Sequence, residues 1–207
     1  MPHRRPGRAG VHGRSRVTDD AAPVDEGRAL FAGAVVDTDA MESLGRRLAG
    51  LLRAGDLLVL TGPLGAGKTT LTRGLGEGLH VRGQVASPTF VLARTHPSES
   101  GVPLVHVDAY RLGGAAELDD LDLDYEGSVV VVEWGAGLLD GVADSWLDVV
   151  IERPTGAGGA VPVAEDALAD EALADDVAAA DDVHDEPRRV TVTAHGPRWA
   201  GVTLPTS

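Results

Sequence analysis

The feature that most constrains this chain is a short apolar run, Leu57–Thr61, followed at once by Gly62-Pro-Leu-Gly-Ala-Gly-Lys-Thr69. Leu57 to Leu60 is apolar at every position, without the alternation of a half-exposed strand. A strand of that kind is buried on both faces, which is the situation inside a parallel sheet covered by helices. The segment after it fits G-x-x-x-x-G-K-[ST], in the strand-to-helix setting that gives the pattern its physical meaning. Glycines at Gly62, Gly65 and Gly67 let the main chain, Ala66 included, wrap with its N–H groups turned inward towards phosphate oxygens. A helix starting at Lys68 would offer the positive end of its dipole to the same anion. In such a loop the lysine (Lys68) reaches the β- and γ-phosphates and the next hydroxyl (Thr69) ligates Mg²⁺. Thr70 is placed to contribute near the α-phosphate. Lys68 is the only lysine in the chain, the other seventeen basic residues being arginine. The one ammonium group thus stands where phosphate chemistry calls for a point charge. The expected ligands are ATP or ADP with Mg²⁺.

The surrounding pattern predicts an α/β fold of the P-loop type: a mainly parallel sheet, helices on both faces, and an antiparallel C-terminal hairpin. Leu30–Val36 reads as a strand. Asp39 is expected to cap a helix with Glu42 completing a capping box, and Met41, Leu44, Leu48, Leu51 and Leu52 give that helix one apolar face before Gly55 ends it. Lys68 to Leu79 is the next helix. Val85–Arg94 and Leu104–Asp108 read as strands around a turn at His96–Pro103, and a short acidic helix is expected near Ala115–Leu121. Ser128–Glu133 and Trp146–Glu152 are further strands. Arg189–Ala194 should pair with Leu147–Ile151 as a hairpin, and Trp199–Leu204 reads as a last strand.

Charge separates this fold from its attachments. The net charge is −14, but residues 154–187 hold ten acidic side chains and no Lys or Arg, leaving about −4 for everything else. That balance argues against a strongly basic nucleic-acid-binding face on the domain. The acidic stretch, poor in apolar residues, is expected to be a disordered insertion in the hairpin loop, where added length costs little free energy. Residues 1–27, with five arginines between Arg4 and Arg16, read as a disordered basic tail. One domain is then expected over residues 28–204. With no apolar run near the roughly 20 residues that span a bilayer, no secretory signal pattern and no cysteine, the expected location is the cytoplasm.

A phosphate loop needs carboxylates to position metal and water. Glu133 ends the apolar run Val129–Val132, and Asp108 ends Leu104–Val107. Both sit at C-terminal strand ends, where ligands lie in open α/β sheets.

Four ordered motifs carry a family likeness: Gly62–Thr70 (GPLGAGKTT), Ser87-Pro-Thr-Phe90, His106-Val-Asp-Ala-Tyr-Arg111 and Val132-Glu-Trp134. Their order and spacing, from about Leu30 to Ile151, resemble the TsaE family, P-loop ATPases of tRNA threonylcarbamoyladenosine synthesis. The resemblance implies that Lys68 holds phosphate, that Thr69 and Glu133 hold Mg²⁺, and that Asp108 acts near the γ-phosphate, on the metal or on the attacking water. It also implies that Ser87 to Phe90, with Ser87 and Thr89, forms a segment sensing the γ-phosphate. Trp134 would help position the nucleotide, and Thr38 would lie where the family closes over it. Tyr110 and Arg111 would organise the switch or a partner surface. The chain departs from the family at Pro63, where an acidic residue is frequent, and at Gly135-Ala136 after the tryptophan.

What the resemblance implies is ATP hydrolysis that is slow alone and coupled to a TsaB–TsaD pair, which transfers threonylcarbamoyl to adenosine 37 of tRNA. The tRNA would be reached through that complex. Arg111 is the sole basic residue between Thr95 and Glu152, so a partner could supply positive charge. Two other classes share the loop: a small-molecule kinase, disfavoured by the lack of lid arginines, and a non-hydrolysing nucleotide switch, for which Glu133 and Asp108 would be dispensable.

Overall fold

A computed structural model describes residues 27–88, 90–138, 142–153 and 186–205. The expected basic tail, nearly all of the acidic insertion and Thr89 lie outside the described residues.

Seven strands form one mixed sheet. In chain order they are β1 (Arg28–Val35), β2 (Leu57–Thr61), β3 (Ala93–His96), β4 (Leu104–Asp108), β5 (Val129–Glu133), β6 (Trp146–Glu152) and β7 (Arg188–His195). Their spatial order is β1-β7-β6-β2-β5-β4-β3. The centre is parallel, β6 and β5 flanking β2 and β4 lying beside β5. Both margins are antiparallel: β7 against β6 and β1, and β3 against β4. The expected hairpin is therefore present, with Ile151 opposite Val190.

The apolar runs form the centre because they have to be buried on both sides. Leu58, Leu60, Val129, Val131 and Leu147 face α1 (Thr38–Ala49) and α2 (Lys68–Gly78). Leu57, Val105, Val107, Val130 and Val132 face the opposite way, towards Leu118 of the short α3 (Ala115–Asp119) and the loops around it. Helices thus lie on both faces, unequally.

The two long helices meet along a seam of small residues. A methyl group on Gly74 would fall 2.1 Å from the Glu42 carbonyl oxygen, one on Gly45 2.4 Å from that of Leu71, and one on Gly78 2.5 Å from the Ala49 side chain. Backbone approaches backbone there, and the ion pair Arg46–Glu77 closes the seam at the surface.

Several boundaries differ from expectation. The cap of α1 is Asp37, whose carboxylate accepts from the Ala40 N–H; Asp39 lies inside the first turn, and the helix stops at Ala49 rather than running on to Gly55. The aspartate nearer the preceding strand wins because its backbone is extended, as an N-cap requires. Of the strand expected at Val85–Arg94, only the end from Ala93 is strand, and it runs on to His96. Leu92 has φ of 63°, which breaks the extended geometry just before it. Trp199–Leu204 is not a strand: a 3₁₀ turn at Pro197–Trp199 buries the tryptophan, and the chain then runs on without a sheet partner. Arginines hold that run down. Arg28 donates to the Trp199 and Val202 carbonyls and Arg47 to that of Pro205. Arg198 grips buried Asp56 through two hydrogen bonds and also reaches the Leu51 carbonyl.

Candidate functional site

The sheet brings the C-terminal ends of β2, β4, β5 and β6 to one edge, and the glycine loop starts there. Gly67 forms the N-cap of α2 with φ of 108°, and Gly65 has φ of 68°, both left-handed values that a side chain rarely accepts. The fit is also steric: a methyl on Gly62 would lie 2.5 Å from the Ile151 carbonyl of β6. Ala66 is buried within the loop.

Lys68 is buried at the first position of α2. Its Nζ donates to the carbonyls of Gly62 (2.9 Å) and Pro63 (3.1 Å) and lies 3.8 Å from the centre of the Trp134 ring. Burial pulls its pKa below the usual lysine value, while Glu133 and Asp108 oppose that shift.

The next turn carries the oxygen donors. Thr69 Oγ1 donates to Glu133 Oε1 at 3.0 Å, joining helix to strand end. Parallel pairing of β4 with β5 sets Asp108 beside Glu133, both buried. Asp108 Oδ1 accepts from the Tyr110 N–H. A hydroxyl and two carboxylates are hard oxygen donors, the set that suits Mg²⁺ when phosphate oxygens complete its shell. Among the described residues no group of three or more His, Asp or Glu forms a metal cage by itself. Thr70 is buried one position on, facing inward from α2.

The remaining expected residues frame this edge. Trp134 follows Glu133 with φ of 63°, unusual for a bulky side chain, and is held by its N–H to the Leu60 carbonyl. Its ring packs 5.2 Å from that of Tyr110. Thr38 opens α1, exposed, one turn ahead of Met41, which packs against Gly67. Ser87 is exposed in the segment before β3. That segment is tied to the site through the Asp108 N–H, which donates to the Leu92 carbonyl, and through Arg111, which lies 5.5 Å over Phe90.

Two residues to which the sequence assigned no role also lie here. Arg153, first after β6, donates to the Gly65 carbonyl at 3.1 Å. Only the β2–β6 pairing reveals its place. His106, wholly buried, sets Nε2 2.8 Å from Glu133 Oε1. It had a signal: a histidine inside a run otherwise apolar, two residues before Asp108 and so on the same strand face.

The profile of the family described as threonylcarbamoyl adenosine biosynthesis protein TsaE matches residues 35–158. The chain belongs to the TsaE family. The tRNA threonylcarbamoyladenosine biosynthesis protein TsaE of Streptomyces coelicolor is 54% identical over 164 residues, spanning 77% of this chain and 94% of that protein. The TsaE protein of Bacillus subtilis is 35% identical over 119 residues, 57% of this chain and 75% of its own. Among solved structures, Bacillus subtilis YdiB superposes with a TM-score of 0.55 at 28% identity, covering 82% of this chain and 88% of that one. The fold expected of a TsaE chain, a sheet with a parallel centre, is the fold observed. Among the described residues no helix is long and apolar enough to cross a membrane.

Proposed function

We propose that this chain serves tRNA threonylcarbamoyladenosine synthesis as a Mg²⁺-dependent ATPase, and that its hydrolysis is coupled to a TsaB–TsaD-type complex through which tRNA is reached. TsaE membership supports the place in tRNA modification. The observation that carries the ATPase reading is the convergence of Lys68, Thr69 and Glu133 at the mouth of a glycine loop.

Each residue has a task that its position suits. The loop amides and the start of α2 cradle the phosphates, and Lys68 turns from its carbonyl partners towards the β- and γ-phosphates, neutralising charge as the terminal bond breaks. Thr69 and Glu133 would hold Mg²⁺, which would supply further positive charge there. Asp108, buried beside Glu133, orients the attacking water or completes the metal's shell. Trp134 covers the lysine and keeps bulk water from it. The loop before β3, pinned at Asp108, senses whether a γ-phosphate is present. Turnover is slow alone, and a partner supplies further positive charge at the phosphates.

The test is phosphate release from ATP with and without purified TsaB–TsaD partners. Release that rises on adding them supports the reading; a phosphorylated small-molecule acceptor would indicate a kinase, and binding without release a switch. Glu133→Ala should reduce release at least 100-fold while leaving the fold intact by circular dichroism. Unchanged release would remove Glu133 from the site.

A further inference from the structure

His106 has no part in the scheme above, yet it is the most completely enclosed polar side chain at the site. It sits in β4 between Val105 and Val107, with zero exposure. Nε2 lies 2.8 Å from Glu133 Oε1, the same oxygen that accepts from Thr69 Oγ1. Nδ1 is buried without a hydrogen-bond partner. An ionised carboxylate has only acceptors, so the shared hydrogen belongs to Nε2. The lone pair is left on Nδ1, where a buried N–H would go unanswered. That tautomer pairs the donor and leaves only a lone pair unanswered. The ring thus points one fixed donor at Glu133, and β4 pairs in register with β5 immediately beside it, Asp108 against Glu133.

We propose that His106 is a positioning residue: its Nε2–H holds the Glu133 carboxylate in the orientation from which it engages Mg²⁺, so that the metal affinity of the site depends on a side chain that touches neither metal nor nucleotide. This rests on the Mg²⁺–nucleotide reading given above. Thr69 braces Glu133 as well, since its hydroxyl can keep donating its one O–H to the carboxylate while a lone pair turns to a cation. The histidine adds a second donor to the same oxygen, from a strand paired directly with the one that carries Glu133. Partners of this outer kind typically govern metal affinity by 10- to 100-fold.

Three replacements separate this role from simple filling of space. Glutamine carries an amide N–H at about the reach of Nε2, asparagine carries it at the reach of Nδ1, and leucine carries none. Binding of a fluorescent ADP analogue is measured in EDTA and again across a Mg²⁺ titration, with thermal melts in parallel. The Mg²⁺ concentration at half-effect should rise about tenfold or more in His106→Asn and His106→Leu and stay within about threefold of wild type in His106→Gln. Affinity in EDTA should be common to all. If wild type responds to Mg²⁺ and the three variants shift together, or none shifts, the positioning role is wrong. If wild type binds no nucleotide or ignores Mg²⁺, the underlying reading fails, and this one with it. Should the leucine variant not fold, the glutamine–asparagine comparison decides.

Discussion

Replacing Gly74 by alanine would normally be expected to strengthen a helix, since alanine gains up to about 1 kcal/mol over glycine inside one. Here the new methyl group would lie 2.1 Å from the Glu42 carbonyl oxygen and 2.8 Å from the carbonyl carbon and Cα of the same residue. All three are backbone atoms of α1, so no side chain can swing aside. Relief requires α1 and α2 to part by about 1 Å. A gap of that size forfeits roughly a quarter to a half of each dispersion contact across the interface, where Leu44, Leu48, Leu71 and Leu75 are buried. Overpacking of a tight core costs about 1–3 kcal/mol and occasionally more; so severe a backbone clash belongs at the upper end. With the propensity gain deducted, the net loss is about 2 kcal/mol, a fall in Tm of about 4–8 °C for a chain of this size. Gly50 provides the control. It is helical in backbone angle, and a methyl there meets nothing nearer than 3.4 Å, so Gly50→Ala should hold or slightly raise Tm. Differential scanning calorimetry of the two variants decides the matter. A Gly74→Ala melting temperature equal to or above wild type would refute the claim that the helices are locked at backbone distance. Since α2 begins at Lys68, the same variant should also bind ADP more weakly.

Arg198→Ala strips buried Asp56 of two of its three hydrogen bonds and leaves only the one from the Arg53 N–H. Breaking a buried pair from one side costs about 3 kcal/mol or more, and chemical denaturation should show it; Arg47→Ala, an exposed contact, should cost less than about 0.5 kcal/mol. Burial, with smaller help from His106 and Arg94, lowers the pKa of His96 from 6.5. The unfolded chain then binds a proton that the folded chain refuses, so stability is full above 6.5 and is lost as pH falls from there towards the depressed folded value. His96→Leu should flatten that acid limb in melts run from pH 7 to 5, and an unaltered slope would exclude His96 as its source.

What the sequence made legible follows a physical division. Continuous apolar runs and the glycine pattern are local signals, and they located β2, β4, β5, the loop and α2 to within a residue or two. Strand-end position marked out Asp108 and Glu133, the glycine pattern marked out Lys68 and Thr69, and the structure brings the four to one edge of the sheet. Signals that depend on who lies next to whom were not legible. Nothing local says that β6 borders β2, hence Arg153 was missed, and nothing local ties Asp56 to Arg198. Trp199 looked like a strand residue because aromatic and β-branched neighbours suit strands. It is instead a plug, inserted from a 3₁₀ turn and held by arginine contacts that no periodicity encodes.

The place of β1 in the sheet carries a consequence for how such a chain comes into being. Among the described residues its one neighbour is β7, which follows the other six strands in the chain. As the polypeptide leaves the ribosome, β1 lacks its partner until Arg188–His195 has been made, while the phosphate loop and its flanking strands can already assemble. Pairing of β1 therefore waits on β7, and a chain cut short before Arg188 would leave β1 without its partner, exposed and adhesive.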